Sequence, residues 1–449
     1  MKKITVSLLA SSLLFGAGVY AGNSLEPVQA FKNPFPISIN GQNTTFEHAP
    51  LLYNNATYLP LSELSSKLGL SVHWNEKDKK VEIGKIVADS NTSGTVVTAN
   101  EGGSLTFLNL ATHKKHELPL TGSVHNVQVA PDGKTVWATV VPKGGHAHQE
   151  NTMPMSDHMN RIDEGAMTGQ GHMTDDMHEQ TMPVMTEKGM LEHAESMNTT
   201  TQGQNGKLMV IDLETAKVIK EMNVGAHPAH VVLTSDGKYT LVTDSETNHV
   251  TIVDAVSFQK IKDVPVGQMP HGMRISADGK WAYIANMGGS TVSVVDIEKG
   301  TEVKQIEVGK TPVQVGLTKD GKTLTATLNA ENSLAIVDLS SGNVKKVKVG
   351  NGPAQVYVDP TDSFAYVANQ GTADSPSDTV SKVDINSGKE IYRVKTGAGP
   401  HGVTTSEDGK YVMVTNMYAH TMTVFEAETG KIITNEKVGE TPNGITFIR

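Results

Sequence analysis

The chain has 449 residues, a formal net charge of −10 and no cysteine. The missing thiols exclude disulfides, thiolate metal sites, cysteine nucleophiles and cysteine lipidation. The acidic balance argues against a nucleic-acid partner, which needs a basic face, and offers no polybasic patch to a membrane.

In chain order, the first feature is a targeting segment. Lys2 and Lys3 precede an apolar run from Ile4 to Gly18, and Val19-Tyr20-Ala21 fits a cleavage site. This predicts a signal peptide over 1–21, export to the extracellular space or cell envelope, and no stable transmembrane span once it is removed. An uncleaved anchor is the alternative, although the run is shorter than the roughly 20 residues of a normal span. Residues 22–35 read as a linker.

Residues 36–84 form a small α+β unit by pattern. Ile37-Ser38-Ile39 is a strand ending at the Asn40-Gly41 turn. Ser62 is an N-cap before a helix over Glu63 to Leu68, and Gly69 ends it. Val72-His73-Trp74 and Lys80 to Ile83 pair as a hairpin. With Asn40-Gly41, Leu59-Pro60-Leu61, Leu68-Gly69, Trp74 and Val81-Glu82-Ile83, the stretch resembles the copper amine oxidase-like N-terminal (stalk) domain of bacterial envelope proteins. That resemblance implies a spacing or adhesion module, without copper ligands or amine oxidase chemistry.

From residue 86 a repeat takes over: V-G-x-x-P, an apolar run, D-G-K, V-x-N and T-V-x-V-x-D. Its glycine recurs at Gly122, Gly225, Gly267, Gly309, Gly350, Gly397 and Gly439, with spacings of 103, 42, 42, 41, 47 and 42. Each repeat holds four short strands, with Asp-Gly-Lys as a hairpin turn. A period in the forties filled with strands predicts a β-propeller. Gly439 to Ile448 supplies one strand and Thr95 to Leu120 supplies three, so the two ends together complete a seventh blade and hide the edge strands. The motifs Tyr283-Ile284-Ala285-Asn286, Tyr366-Val367-Ala368-Asn369 and Val412-Met413-Val414-Thr415-Asn416 resemble the YVTN family of β-propeller repeat proteins. The resemblance implies the fold over 86–449 and leaves the function open.

The irregular spacing of 103 marks an insertion over 143–205, between the second and third strands of the first blade. Within 146–197 lie ten methionines and six histidines, and ten Asp or Glu face only Arg161 and Lys188. His146, His148, Met153, Met155, His158, Met159, His172, Met173, Met177, His178, Met182 and Met185 are the closely spaced donors. Thioether sulfur suits Cu(I) and imidazole suits copper in either oxidation state, so the tract reads as copper-binding, or silver-binding. It is similar in composition to the Met-rich segments of bacterial copper-resistance proteins. Two other readings stand beside it: a solvated acidic loop with no ligand role, and a partner-docking loop.

Strand counting places this insertion, the residue after the repeat proline and the residue after V-x-N on one face. The position after the proline holds His125, Ala229, His271, Val313, Ala354, His401 and Asn443. His125, His271 and His401, joined by His230, Met287 or Met417, predict a metal site at the mouth of the axis, with copper fitting the donor types. This face is similar to that of propeller enzymes with copper or haem at the axis, such as nitrous oxide reductase. The chain lacks their full histidine complement and any separate electron-entry domain. The competing reading bonds each His to a neighbouring loop carbonyl. Arg274 stands where other repeats carry small or neutral residues, which suits an anionic ligand or a carboxylate partner. Asp254, Asp296, Asp338 and Asp384 recur at third-strand ends and read as turn caps.

The functional expectation is an exported envelope protein that binds or sequesters copper without catalysis. Two alternatives remain open. One is a propeller enzyme, either a copper oxidoreductase or a lactonase-type hydrolase. The other is a protein-interaction or surface-adhesion module with an envelope protein partner.

Overall fold

The computed structural model describes residues 94–142 and 206–448 and, towards the N-terminus, 4–5, 29–33, 36–39, 42–46, 48–53, 56–61, 63–64, 70–75 and 80–85. The chain divides into two units, Met1–Val87 and Ala88–Arg449.

The described part of the first unit is built of strands. Ile4–Thr5, Gln29–Lys32, Leu51–Tyr53 and Ala56–Tyr58 form one sheet in that order. One of these strands therefore runs through the stretch 22–35, where the sequence suggests a linker. Ile37–Ile39 pairs with Gln42–Thr44, and Leu70–Asn75 pairs with Lys80–Lys85 in the expected hairpin. Helical backbone is described at Leu61, Glu63 and Leu64, where the Leu64 amide reaches the Pro60 carbonyl at 2.9 Å. The remainder of the expected helix, 65–68, lies outside the described residues.

The second unit is a β-propeller. Its described residues form seven four-stranded antiparallel sheets. Sheet 1 runs Ser123–Val129, Thr135–Val141, Gly206–Asp212 and Lys217–Gly225. Sheets 2 to 6 begin with Pro228–Leu233, Pro270–Ile275, Pro312–Leu317, Pro353–Val358 and Pro400–Thr405 and each continue outward through three more strands. Sheet 7 joins the two ends of the unit, with Pro442–Ile448 paired to Thr95–Asn100, followed by Ser104–Asn109 and Lys115–Pro119. Each first strand lies beside the first strand of the next sheet, and Pro442–Ile448 touches both Pro400–Thr405 and Ser123–Val129.

This arrangement accounts for the strand patterns. Second and third strands have a neighbouring sheet on both faces, so runs such as Ala282 to Asn286 are wholly buried. Fourth strands lie at the rim and alternate, as in Thr301–Glu307. The core lies between successive sheets. Between sheets 3 and 4, for instance, Val294 and Val308 pack with Leu324 and Val337.

Two repeat motifs are structural devices. In the D-G-K turn, Asp236 Oδ1 accepts the Lys238 amide at 3.0 Å and the Thr234 hydroxyl at 2.6 Å, and Gly237 takes φ +68°. The third-strand aspartates cap their turns, as where Asp254 Oδ1 accepts the Ser257 amide at 2.7 Å.

The V-G and V-x-N motifs explain each other. Asn286 donates to Thr291 Oγ1 and to Ser293 Oγ, each at 2.9 Å, tying the second strand to the third. Its side chain fills the space above Gly267, where a Cβ would meet Asn286 Nδ2 at 2.3 Å. Gly267→Ala is therefore expected to lower stability by about 2 kcal/mol through overpacking. In a urea titration the addition of Asn286→Ala should recover part of that loss. If the single variant matches wild type, the two motifs are not coupled.

Candidate metal centre

The first strands are where the sequence turns regular pairing into a site. In sheet 2 the register passes from Pro228 opposite Asp244 to Val231 opposite Val242, so Ala229 and His230 together face Thr243. The same break falls between Pro270 and Met273 in sheet 3, spanning His271 and Gly272, and at His125 in sheet 1. Such bulges re-aim side chains out of the ladder. Here they bring three buried histidines from successive sheets together: His125, His230 and His271, each offering one ring nitrogen within 4.8 Å of the others.

The geometry of the pair His125–His271 is specific. Their Nε2 atoms stand 3.3 Å apart and the ring planes cross at 89°. His271 Nδ1 lies 3.2 Å from the Val313 carbonyl. A carbonyl only accepts, so Nδ1 carries the hydrogen. Burial, and then the charges of His125 and His401, hold the His271 imidazole well below its ordinary range. It is therefore neutral at pH 7, with a bare lone pair on Nε2. His125 Nδ1 lies 3.2 Å from Glu101 Oε1. Burial of Glu101 raises its carboxyl, but the bonds from His125 and Asn443 outweigh burial and hold it below the usual range. Glu101 is therefore an ionised acceptor, and Nδ1 is the donor.

With both Nδ1 hydrogens directed outward, a neutral His125 would set two Nε2 lone pairs against each other. A cation between them, a metal or a shared proton, removes that repulsion. A tetrahedral metal with bonds of about 2.05 Å separates its nitrogens by about 3.3 Å, which is the spacing found. The third ring fits the same picture. His230 Nε2 is buried and has no hydrogen-bond partner among the described residues. Burial first, then the charges of its neighbours, pull His230 well below the ordinary range, so it too is neutral. Three imidazoles, two of them oriented by a carboxylate and a carbonyl, form a set able to hold a borderline metal ion.

The other residues singled out from sequence are placed as follows. His401 is buried, 3.5 Å through Nδ1 from Gln355 Nε2, and has a backbone bond to Asn443. It is not one of the three nitrogens that converge, whereas His230, expected from sequence to join the other three, is one of them. Burial, and then His125, pull His401 down to about 4. Met287 and Met417 are buried after the second strands of sheets 3 and 6, and the Met417 sulfur accepts from Gln370 Nε2 at 3.2 Å. The insertion donors His146, His148, Met153, Met155, His158, Met159, His172, Met173, Met177, His178, Met182 and Met185 lie outside the described residues. The strand before the insertion ends at Val141, whose partner Ser123 is two residues from His125.

Sequence reasoning missed three contributors. Glu101 and Asn443 form an outer layer, with the Asn443 amide donating to Glu101 Oε1 at 2.7 Å. Thr243 accepts the His230 amide at 2.9 Å and donates to the His271 carbonyl at 2.8 Å, so one hydroxyl fixes two of the three bulges. Glu101 occupies the column of Met287 and Met417, directly after the V-x-N asparagine, so its place was visible. Thr243→Val removes both bonds and is expected to cost about 1–3 kcal/mol and to weaken metal binding about tenfold. Metal titration beside thermal unfolding checks this. Unchanged affinity with lowered stability would make Thr243 a fold residue alone.

Comparison with known proteins supports this architecture. Residues 230–449 match the family model of the YNCE-like β-propeller, and residues 38–109 match that of the copper amine oxidase N-terminal domain. No curated protein matches the chain significantly. Among solved structures, a functionally unknown protein from Desulfotomaculum acetoxidans is similar at 15% identity and TM-score 0.57, covering 80% of this chain and 99% of that one. The dihydro-heme d1 dehydrogenase NirN, in complex with DHE, is similar at 12% identity and TM-score 0.51, covering 79% and 75%. Hydrazine synthase from Kuenenia stuttgartiensis aligns at 23% identity and TM-score 0.49, covering 53% and 82%. The chain thus joins a segment matching the copper amine oxidase N-terminal domain to one matching the YNCE-like β-propeller.

Proposed function

We propose that this is an exported cell-envelope protein whose seven-bladed propeller, closed into a ring by its two ends, binds copper without turnover. The observation that carries the reading is the pair of Nε2 atoms 3.3 Å apart, with both Nδ1 atoms committed to outward acceptors and the bare His230 nitrogen beside them. Imidazole sets bind Cu(II) most tightly of the first-row divalent ions, and the Met/His tract adds soft donors for Cu(I). Seven four-stranded sheets, each first strand neighbouring the next, support the closed ring. The basic and apolar start of the chain supports a signal over 1–21, ahead of a small domain over 36–84 and the propeller over 86–449.

The test is competitive titration of the full mature chain with Cu(I), Cu(II) and Zn(II), with and without residues 143–205. The wild type should hold one copper at the imidazoles and further Cu(I) in the tract. The deletion should keep the first and lose the second. Absence of copper binding, or zinc held more tightly than Cu(II), overturns the copper reading. Cell fractionation that leaves the whole chain in the cytoplasm overturns export.

A further inference from the structure

On the far side of the His cluster, a cavity of 670 Å³ runs from the D-G-K turns inward to His230. Its size is that of a small-molecule site. Its walls mix apolar side chains such as Val403, Ile445 and Phe447 with the amides of Gln314 and Gln355.

One layer of this cavity is unusual. The fifth residue of each first strand, counted from the repeat proline, is Gln128 (by register), Val232, Arg274, Gly316, Tyr357, Thr404 and Thr446. The layer carries one cation and no anion. Among the described residues no carboxylate pairs with Arg274, which neighbours Tyr357, and its Nη1 donates to the Met273 carbonyl at 3.0 Å. Its guanidinium carbon lies 5.8 Å from the Tyr357 ring, and sheet 4, between them, contributes Gly316 and no side chain at this depth.

Three acidic groups border the cavity at its rim: Asp359 and Asp362 accept backbone amides there, and Glu407 is exposed to solvent. Asp359 accepts the Ser363 and Phe364 amides at 2.9 and 2.8 Å, and Asp362 accepts the Lys319 amide. One buried polar atom of a cavity-lining residue outside the histidine cluster, Thr405 Oγ1, has no partner among the described residues. Arg274 is half-buried, and a ligand carboxylate would supply the charge-assisted hydrogen bonds that the described residues do not.

We infer that the cavity is a binding site for a small organic carboxylate, seated with its carboxylate on the Arg274 guanidinium. Four N–H groups of Arg274 remain beyond the Met273 bond, and a planar carboxylate matches two of them side by side. Gln314, Gln355 and Thr405 line the space for the ligand's other polar groups, and the apolar wall takes its carbon frame. Inorganic phosphate would satisfy the charge but leave most of the cavity unfilled. The site is independent of any metal at the imidazoles.

Isothermal titration of the full chain, stripped of metal and desalted from chelator, with benzoate, citrate and inorganic phosphate tests the site. At least one of the two carboxylates is expected to bind with unit stoichiometry and more tightly than phosphate. Arg274→Gln should weaken it at least tenfold. Arg274→Lys, which keeps the charge and loses the planar fork, should fall between, and it serves as the readout if the glutamine variant does not fold. Binding by neither carboxylate, equal binding by Arg274→Gln or by Arg274→Lys, or a preference for phosphate overturns the assignment. Because the protein is metal-free throughout, these outcomes say nothing against copper at the imidazoles.

Discussion

His271→Ala should lower the affinity for Cu(II) by about 10² to 10³-fold. A four-ligand structural zinc site is worth about 10–16 kcal/mol in binding free energy, so one ligand carries about 2.5–4 kcal/mol. His125→Ala and His230→Ala should each lose a similar amount, and the losses should not add, because two imidazoles no longer make the site. Glu101→Gln leaves all three nitrogens in place but removes the ionised acceptor that orients His125. A ten- to hundredfold loss is expected there. The discriminating variant is His401→Ala. His401 belongs to the repeat column of His125 and His271 but not to the converging set. It should lose less than tenfold. If His401→Ala costs as much as His271→Ala while His230→Ala costs little, the ligands follow the repeat column and the centre described here is wrong.

That contrast shows how far the site was legible. The repeat gives the strands, the joining of the two ends in one sheet and the axial position of the residues after the proline. Those depend on period alone, which a single chain displays several times over. That His230 joins the set and His401 does not depends on the bulge. A bulge lets two adjacent residues face one opposite residue, so His125, His230 and His271 can meet although they occupy two different columns. Column alignment treats these positions as separate and cannot see it. The Glu101 and Asn443 layer was hidden for another reason. It joins residues 101 and 443 across the meeting of the chain ends, a contact with no local signature. Arg274 was visible as the odd residue of its column. Whether a carboxylate faced it depended on loops whose side chains the sequence does not place.

Below pH 6.5 the metal-free protein is expected to lose stability steeply. His401 titrates at about 4 in the folded state, chiefly through burial, and His230 and His271 shift in the same direction for the same first cause. The unfolded chain releases these imidazoles to their ordinary value of about 6.5 and so binds more protons throughout the interval. Each group therefore contributes stability that is complete above the unfolded value and is lost as pH falls towards the folded one. For His401 the interval from 6.5 to 4 corresponds to about 3 kcal/mol, at about 1.4 kcal/mol per pH unit. Three such groups titrating together could reach about 4 kcal/mol per unit, enough to exhaust a marginal fold within a few units. Glu101 acts lower on the scale. Its folded value lies below the ordinary one, so its contribution is complete above the ordinary carboxylate value and is lost as the pH falls from there through the folded value. Urea unfolding at pH 7.5, 6.0 and 5.0 measures the slope, and His401→Asn should flatten it by about one group's share. A bound metal adds stability through mass action at neutral pH, and this protection should disappear as protons compete for the same nitrogens. Stability constant from pH 7.5 to 5.0 would mean that the folded imidazoles titrate as the unfolded ones do, and stability rising as the pH falls would mean that they are already protonated in the fold. A proton, and not a metal, would then occupy the space between His125 and His271.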